Sequence, residues 1–258
     1  MRAFVEVDAG VGLKCLEAGL LLKQEFKKKC HIQICIFAQD PLFSYEDGGK
    51  GMTALFKEAA NREGVDVIGS TPYVEKSLES QKKNITWMVD LAKDMNLLLD
   101  FHLDYNLDPG KKPMVYHVIT ALKETNWQDR PITLGHCTRL SIFSVDEWER
   151  LQKDIGNLPI HFVGLPTSDL FMMGRPNEGE GGGMRNRGTL QIPQMIEKYG
   201  LNGAIGINNV GNAFTPQGSC DPMALASMAI GVYQAGRKAD ADIILVSDFL
   251  VFLGDFCV

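Results

Sequence analysis

Short apolar runs rich in β-branched residues alternate along this chain with stretches whose apolar positions recur every three to four residues. That is the signature of repeated strand–helix units rather than of a sandwich or a bundle. The strand candidates are residues 3–7, 32–37, 65–69, 97–102, 132–136, 160–165 and 203–207. Between them, Leu13, Leu16 and Leu20 make one helical stripe and Ile85, Met88, Val89 and Ala92 another; stripes of this kind pack helices onto a sheet. Gly64, Gly156 and Gly200 stand where helices would end before strands, a common way to leave a helix.

Seven such units can be counted, whereas a closed parallel barrel needs eight and an open sheet would expose apolar edges. The pattern therefore predicts an α/β fold, a TIM-type (β/α)8 barrel lacking its first βα unit, with that unit expected upstream of Met1. Residues 1–242 carry the repeat. Residues 243–258 form an atypical apolar tail with neither clean alternation nor a helical stripe, read as a covering strand or as sequence foreign to the fold.

The 258 residues, 45% hydrophobic and 22% charged, are enough for one large α/β domain or two small ones. A formal net charge of −6 argues against a nucleic-acid partner, since phosphate recognition needs clustered Lys and Arg. The one basic run, Lys27-Lys28-Lys29, falls at a helix end where cations suit the dipole. Six cysteines without a Cys-x-x-Cys pair point to reduced thiols in the cytosol. The apolar tail is shorter than the ~20 residues that span a bilayer and contains Asp248 and Asp255, so no membrane partner is expected. Oligomeric state stays open, a homo-oligomer included.

The chemistry concentrates just past the strand candidates, where a barrel of this kind builds its site. His102 closes one apolar run and His136 another, 34 residues on. Either alone reads best as a hydrogen-bonded core histidine. Two at equivalent strand ends point to metal-assisted hydrolysis, one imidazole holding a metal and the other working beside it. Alternation along the strand would aim Asp104 the same way as His102. Gln39 follows the strand at 32–37, where an amide can read a polar heterocycle by donating and accepting at once. Cys137 as a nucleophile paired with His136 is disfavoured, because adjacent strand residues face opposite ways. Asn208, Asn209 and Asn212 follow the last strand, where a metal hydrolase would ideally show an aspartate; asparagine is a poor ligand and a poor base. The glycine-rich stretch 179–188 reads as a rim loop, a lid or plain surface, and no Gly-Lys-Ser follows it to make a phosphate loop.

Taken in order, residues 2–8, Phe37-Ala38-Gln39, Asp100-Phe101-His102-Leu103-Asp104, Gly135-His136-Cys137-Thr138, residues 165–170 and Arg187-Gly188-Thr189 resemble the cytosine deaminase branch of the metal-dependent amidohydrolases, and most of all the fungal metallo-dependent hydrolases. The likeness runs from Met1 to about Asp242. It implies a barrel with divalent zinc or iron at its mouth and hydrolysis of carbon–nitrogen bonds in a small heterocyclic amidine. Carried over by position, His102 is implied as a metal ligand, His136 as the histidine beside the activated water, and Gln39 and Asn208 as substrate contacts. Three departures stand out: the His-x-His pair of the family's first strand would lie upstream of Met1, Tyr105 stands where the deaminases place a proton-shuttling glutamate, and Asn208 takes the place of an aspartate ligand. The expectation is a metal-dependent deaminase-like hydrolase, impaired in this chain and not certain to bind its metal; the alternative is a non-catalytic small-molecule binder or an inactive fragment.

Overall fold

A computed structural model describes residues 1–128, 130–175, 185–212 and 214–253, with side chains described as far as residue 245. Strands β1 (Arg2–Glu6), β2 (Gln33–Ala38), β3 (Val67–Ser70), β4 (Leu98–Leu103), β5 (Ile132–His136), β6 (Ile160–Gly164) and β7 (Gly203–Ile205) alternate with helices. The helices are α1 (Lys14–Phe26), α2 (Lys50–Ala60), α3 (Leu78–Asp94), α4 (Val115–Glu124), α5 (Val145–Ile155), α6 (Pro166–Met172), α7 (Ile192–Tyr199), α8 (Pro222–Val232) and α9 (Lys238–Leu253). The strands follow one another in chain order in a single seven-stranded sheet, so all seven units expected from the pattern are present. No helix among the described residues is long and apolar enough to cross a membrane.

The chain divides into two compact units. The first holds Met1–Leu103, Met114–Thr133 and Asn157–Ile160. Its strands pair in parallel, Phe4 opposite Cys35, Cys35 opposite Val67, and Val67 opposite Leu98. The interior strand β3 is buried along its whole length, as expected of a parallel strand covered on both faces. Gly69 in β3 is required by crowding: a Cβ there would lie 2.5 Å from the Asp100 carbonyl oxygen and 2.8 Å from the Phe37 ring. Helix α3 lays Ile85, Met88, Val89 and Ala92 into the core, all fully buried, and the stripe read from sequence is the packed face.

On the sheet of this unit, Arg2 gathers four strands. Its guanidinium donates to Asp100 at 2.5 Å, to Thr133 at 2.8 Å and to Gln33 at 3.1 Å. The loop after β2 is held by buried Glu75, whose carboxylate accepts from the amides of Leu42 (2.7 Å) and Phe43 (3.1 Å) and from the Asn84 side chain (3.0 Å).

The second unit holds Asp104–Pro113, Leu134–Gly156 and His161 onward. Here Phe162 pairs opposite Gly203 and Gly164 opposite Ile205, again in parallel. A reciprocal capping box between Ser144 and Glu147 starts α5, which satisfies two amides at the helix start. Trp148 of α5 stacks on Tyr199 of α7, ring centroids 5.3 Å apart. Where the sequence left a covering strand or foreign segment, the backbone is the helix α9, and residue 242 falls inside it. Of the glycine-rich stretch 179–188, residues 179–184 lie outside the described residues.

Candidate active site at the strand ends

Four residues at or just beyond strand ends take left-handed backbone: Asp104 (φ 50°), His136 (φ 64°), Cys137 (φ 45°) and Asn208 (φ 67°). Asp, Asn and His tolerate this region best, and it costs an ordinary L-residue roughly 1–2 kcal/mol. All four belong to the second unit. The kink at Asp104 also corrects one expectation. Strand β4 stops at Leu103, so the alternation that would have aimed Asp104 alongside His102 does not extend to it.

His136 ends β5 with its Nδ1 2.6 Å from Oδ1 of Asp169. Asp169, in the first turn of α6, has no exposed side-chain surface, and its second oxygen accepts a hydrogen bond from the Thr189 hydroxyl at 2.7 Å. Thr189 is itself 1% exposed. The Tyr105 ring meets His136 edge-on, centroids 4.8 Å apart. The imidazole is therefore held by a buried hydroxyl–carboxylate pair on one side and an aromatic ring on another. Beside Asp169 on α6, Ser168 accepts from the Asn208 side chain at 2.8 Å. One short helix thus touches both sequence-selected residues of this unit, His136 and Asn208.

The turn Thr138–Ile142 secures the neighbouring loop. The Arg139 amide and the Thr138 hydroxyl donate to the Asp104 carbonyl, at 3.0 and 3.3 Å, and the Arg139 guanidinium reaches the carbonyls of Lys111 and Pro109, each at 3.2 Å. Cys137 is fully buried. Asn212 is a turn former, its carbonyl oxygen accepting from the amides of Phe214 and Thr215.

In the first unit, Gln39 and His102 come to the same end of the same sheet. Ala38 pairs with Ser70 and Ser70 with Phe101, so Gln39 and His102 each lie one residue beyond a shared level. Thr71 donates to the Gln39 carbonyl at 2.9 Å. The buried His102 ring packs 4.6 Å from Phe37 and 5.1 Å from Phe4, centroid to centroid. At the end of β1, Glu6 sits with Asp8 and Asp40, and its carboxyl is pushed above the usual range, first by partial burial and then by the hydrogen bond and charge of Asp8 and the charge of Asp40. Burial likewise drives the Cys35 thiol well up, which keeps it protonated and unreactive.

Among the described residues no group of three or more His, Cys, Asp or Glu is placed to hold a metal ion.

Solved structures with the same arrangement of elements are deaminases and a related hydrolase. The chain is similar to 5-methylcytosine deaminase from Klebsiella pneumoniae liganded with phosphonocytosine, with a TM-score of 0.81 and 21% identity over 98% of this chain and 60% of that one. The chain shares the fold of about three-fifths of that structure. N-isopropylammelide isopropylaminohydrolase from Burkholderia multivorans shares it, with a TM-score of 0.74 and 19% identity over 98% of this chain and 59% of that one. The chain thus spans about three-fifths of the length of the structures it matches. No family model and no curated protein matches it in sequence.

Sequence reasoning singled out His136 but not Asp169 or Thr189. Both lie inside segments that carried the deaminase resemblance, which was the one signal able to find them. Nothing in local spacing marks an aspartate 33 residues after a histidine as its partner.

Proposed function

We propose that this chain is a hydrolase of the deaminase type, acting on carbon–nitrogen bonds of cyclic amidines, and that its 258 residues by themselves turn such substrates over poorly. The observation that carries the reading is His136 at a strand end, bound through Nδ1 to a fully buried Asp169, in a chain with the fold of a deaminase. In this reading His136 handles the proton of the attacking water through Nε2 and Asn208 contacts a polar atom of the substrate ring, while Gln39, in the first unit, is a candidate substrate contact in its own right. His102 is the candidate metal ligand, and no step is assigned to a metal. A second reading, a non-catalytic binder of the same heterocycles, rests on Tyr105 and Asn208 standing where the family resemblance would put carboxylates.

A cytosolic setting suits six cysteines without a Cys-x-x-Cys pair, since thiols stay reduced there. Small heterocycles rather than nucleic acid suit the net charge of −6.

The test pairs calorimetric binding of cytosine with an ammonia assay run with and without added zinc or iron. Cytosine is expected to bind, and Asn208→Ala is expected to weaken it about tenfold, the worth of one good hydrogen bond. Ammonia release is expected to fall at least ~10²-fold below that of the Klebsiella enzyme assayed alongside, the usual cost of losing acid–base groups. Stoichiometric metal with metal-dependent turnover would overturn the claim of poor activity, and failure to bind any cyclic amidine at millimolar concentration would overturn both readings.

A further inference from the structure

We propose that Asp169 sets the tautomer of His136, fixing the proton on Nδ1 so that Nε2 is the nitrogen that accepts a proton. The inference rests on the hydrolase reading for its chemical meaning, though not for its test.

The argument begins with donors and acceptors. An ionised carboxylate can only accept hydrogen bonds. With Oδ1 of Asp169 2.6 Å from His136 Nδ1 and Oδ2 taken by the Thr189 hydroxyl at 2.7 Å, Nδ1 must carry the hydrogen that fills the short contact. Burial makes the choice expensive to reverse, because a buried acceptor left unpaired costs about 1–3 kcal/mol. The Thr189 hydroxyl occupies the second carboxylate oxygen and so holds Asp169 with Oδ1 toward the ring. The Tyr105 ring, edge-on at 4.8 Å, limits rotation of the imidazole out of this plane.

In the proposed hydrolysis, Nε2 takes one proton from water as the water oxygen bonds to the ring carbon. It returns that proton to the amino nitrogen, which leaves as ammonia with the electron pair of the broken carbon–nitrogen bond. The second water proton ends on the ring nitrogen that had shared the amidine double bond, leaving a carbonyl. Asp169 and Thr189 touch neither water nor substrate in this scheme; they are positioning residues. An imidazole in the other tautomer would present N–H to the water and could not begin the sequence.

The test is nitrogen-15 NMR of the folded chain labelled at histidine, with each ring nitrogen assigned by its long-range proton couplings. His136 is expected to show a protonated Nδ1 with a far-downfield, slowly exchanging proton and an unprotonated Nε2. In Asp169→Leu no acceptor faces Nδ1, so the proton is expected to move largely to Nε2, the nitrogen that carries it in a free neutral imidazole. Thr189→Val should leave the tautomer unchanged, since the carboxylate alone selects it. A proton on Nε2 in the unmodified chain overturns the proposal outright, so the test stands even if Asp169→Leu fails to fold. An unchanged tautomer in folded Asp169→Leu also overturns it. None of these spectra needs ligand or turnover, so a failure here and a failure of the hydrolase reading are separately visible.

Discussion

Glu6 illustrates how single residues at a strand end carry a stability cost. Partial burial, the Asp8 hydrogen bond and charge, and the charge of Asp40 raise its pKa above the ordinary glutamate value. A carboxyl whose pKa is raised by folding binds its proton more tightly in the native state, so its contribution is fully present below the unfolded pKa and is lost as pH rises through the folded one. Glu6→Gln removes the ionised form and its cost. The variant is expected to melt above the parent at pH 7, with the gain shrinking to nothing below the usual glutamate range of about pH 4.3; equal or lower melting at neutral pH would contradict the assignment. At this scale the sequence was legible where chemistry closes a local pattern. His102 and His136 both end apolar runs, and both lie in strands. Asp169 was not legible, because its α6 is only seven residues long, too short for a stripe, and its partner is distant in the chain.

Elements are joined across the sheet by Arg2, which ties β1 to β2 through Gln33, to β4 through Asp100 and to β5 through Thr133. Asp100 is 2% exposed and Arg2 13%, so removing the cation leaves a buried carboxylate uncompensated. Arg2→Ala is expected to cost roughly 3–5 kcal/mol by urea denaturation, whereas Arg2→Met with Asp100→Leu should regain most of that loss, since a well-packed apolar pair replaces a buried ion pair at little cost. A single variant within about 0.5 kcal/mol of the parent would show that the pair contributes nothing. Strands and most helices were legible because period two and period 3.6 differ sharply. The exception is α9: its apolar residues gather on no one face, so it has no stripe to distinguish it from a buried strand, and only its packing against β7 and α8 reveals it. Strand β7 is shorter than the 203–207 expected, ending at Ile205 before the left-handed turn at Asn208.

For the whole molecule, seven parallel βα units with the deaminase fold at 21% identity show how far a pattern of apolar positions can persist while side chains change. Function is carried by few of those side chains, since one fold hosts many chemistries. The proposed function therefore stands on His136 being able to meet a cyclic amidine through Nε2 while Nδ1 is bound to Asp169. The most direct measurement is an NMR titration of the folded chain with cytosine, following His136 Nε2 and the Asn208 side-chain amide. Both signals are expected to move along one saturating curve while His136 Nδ1 keeps its proton. Saturable binding that leaves both signals unmoved would contradict the account.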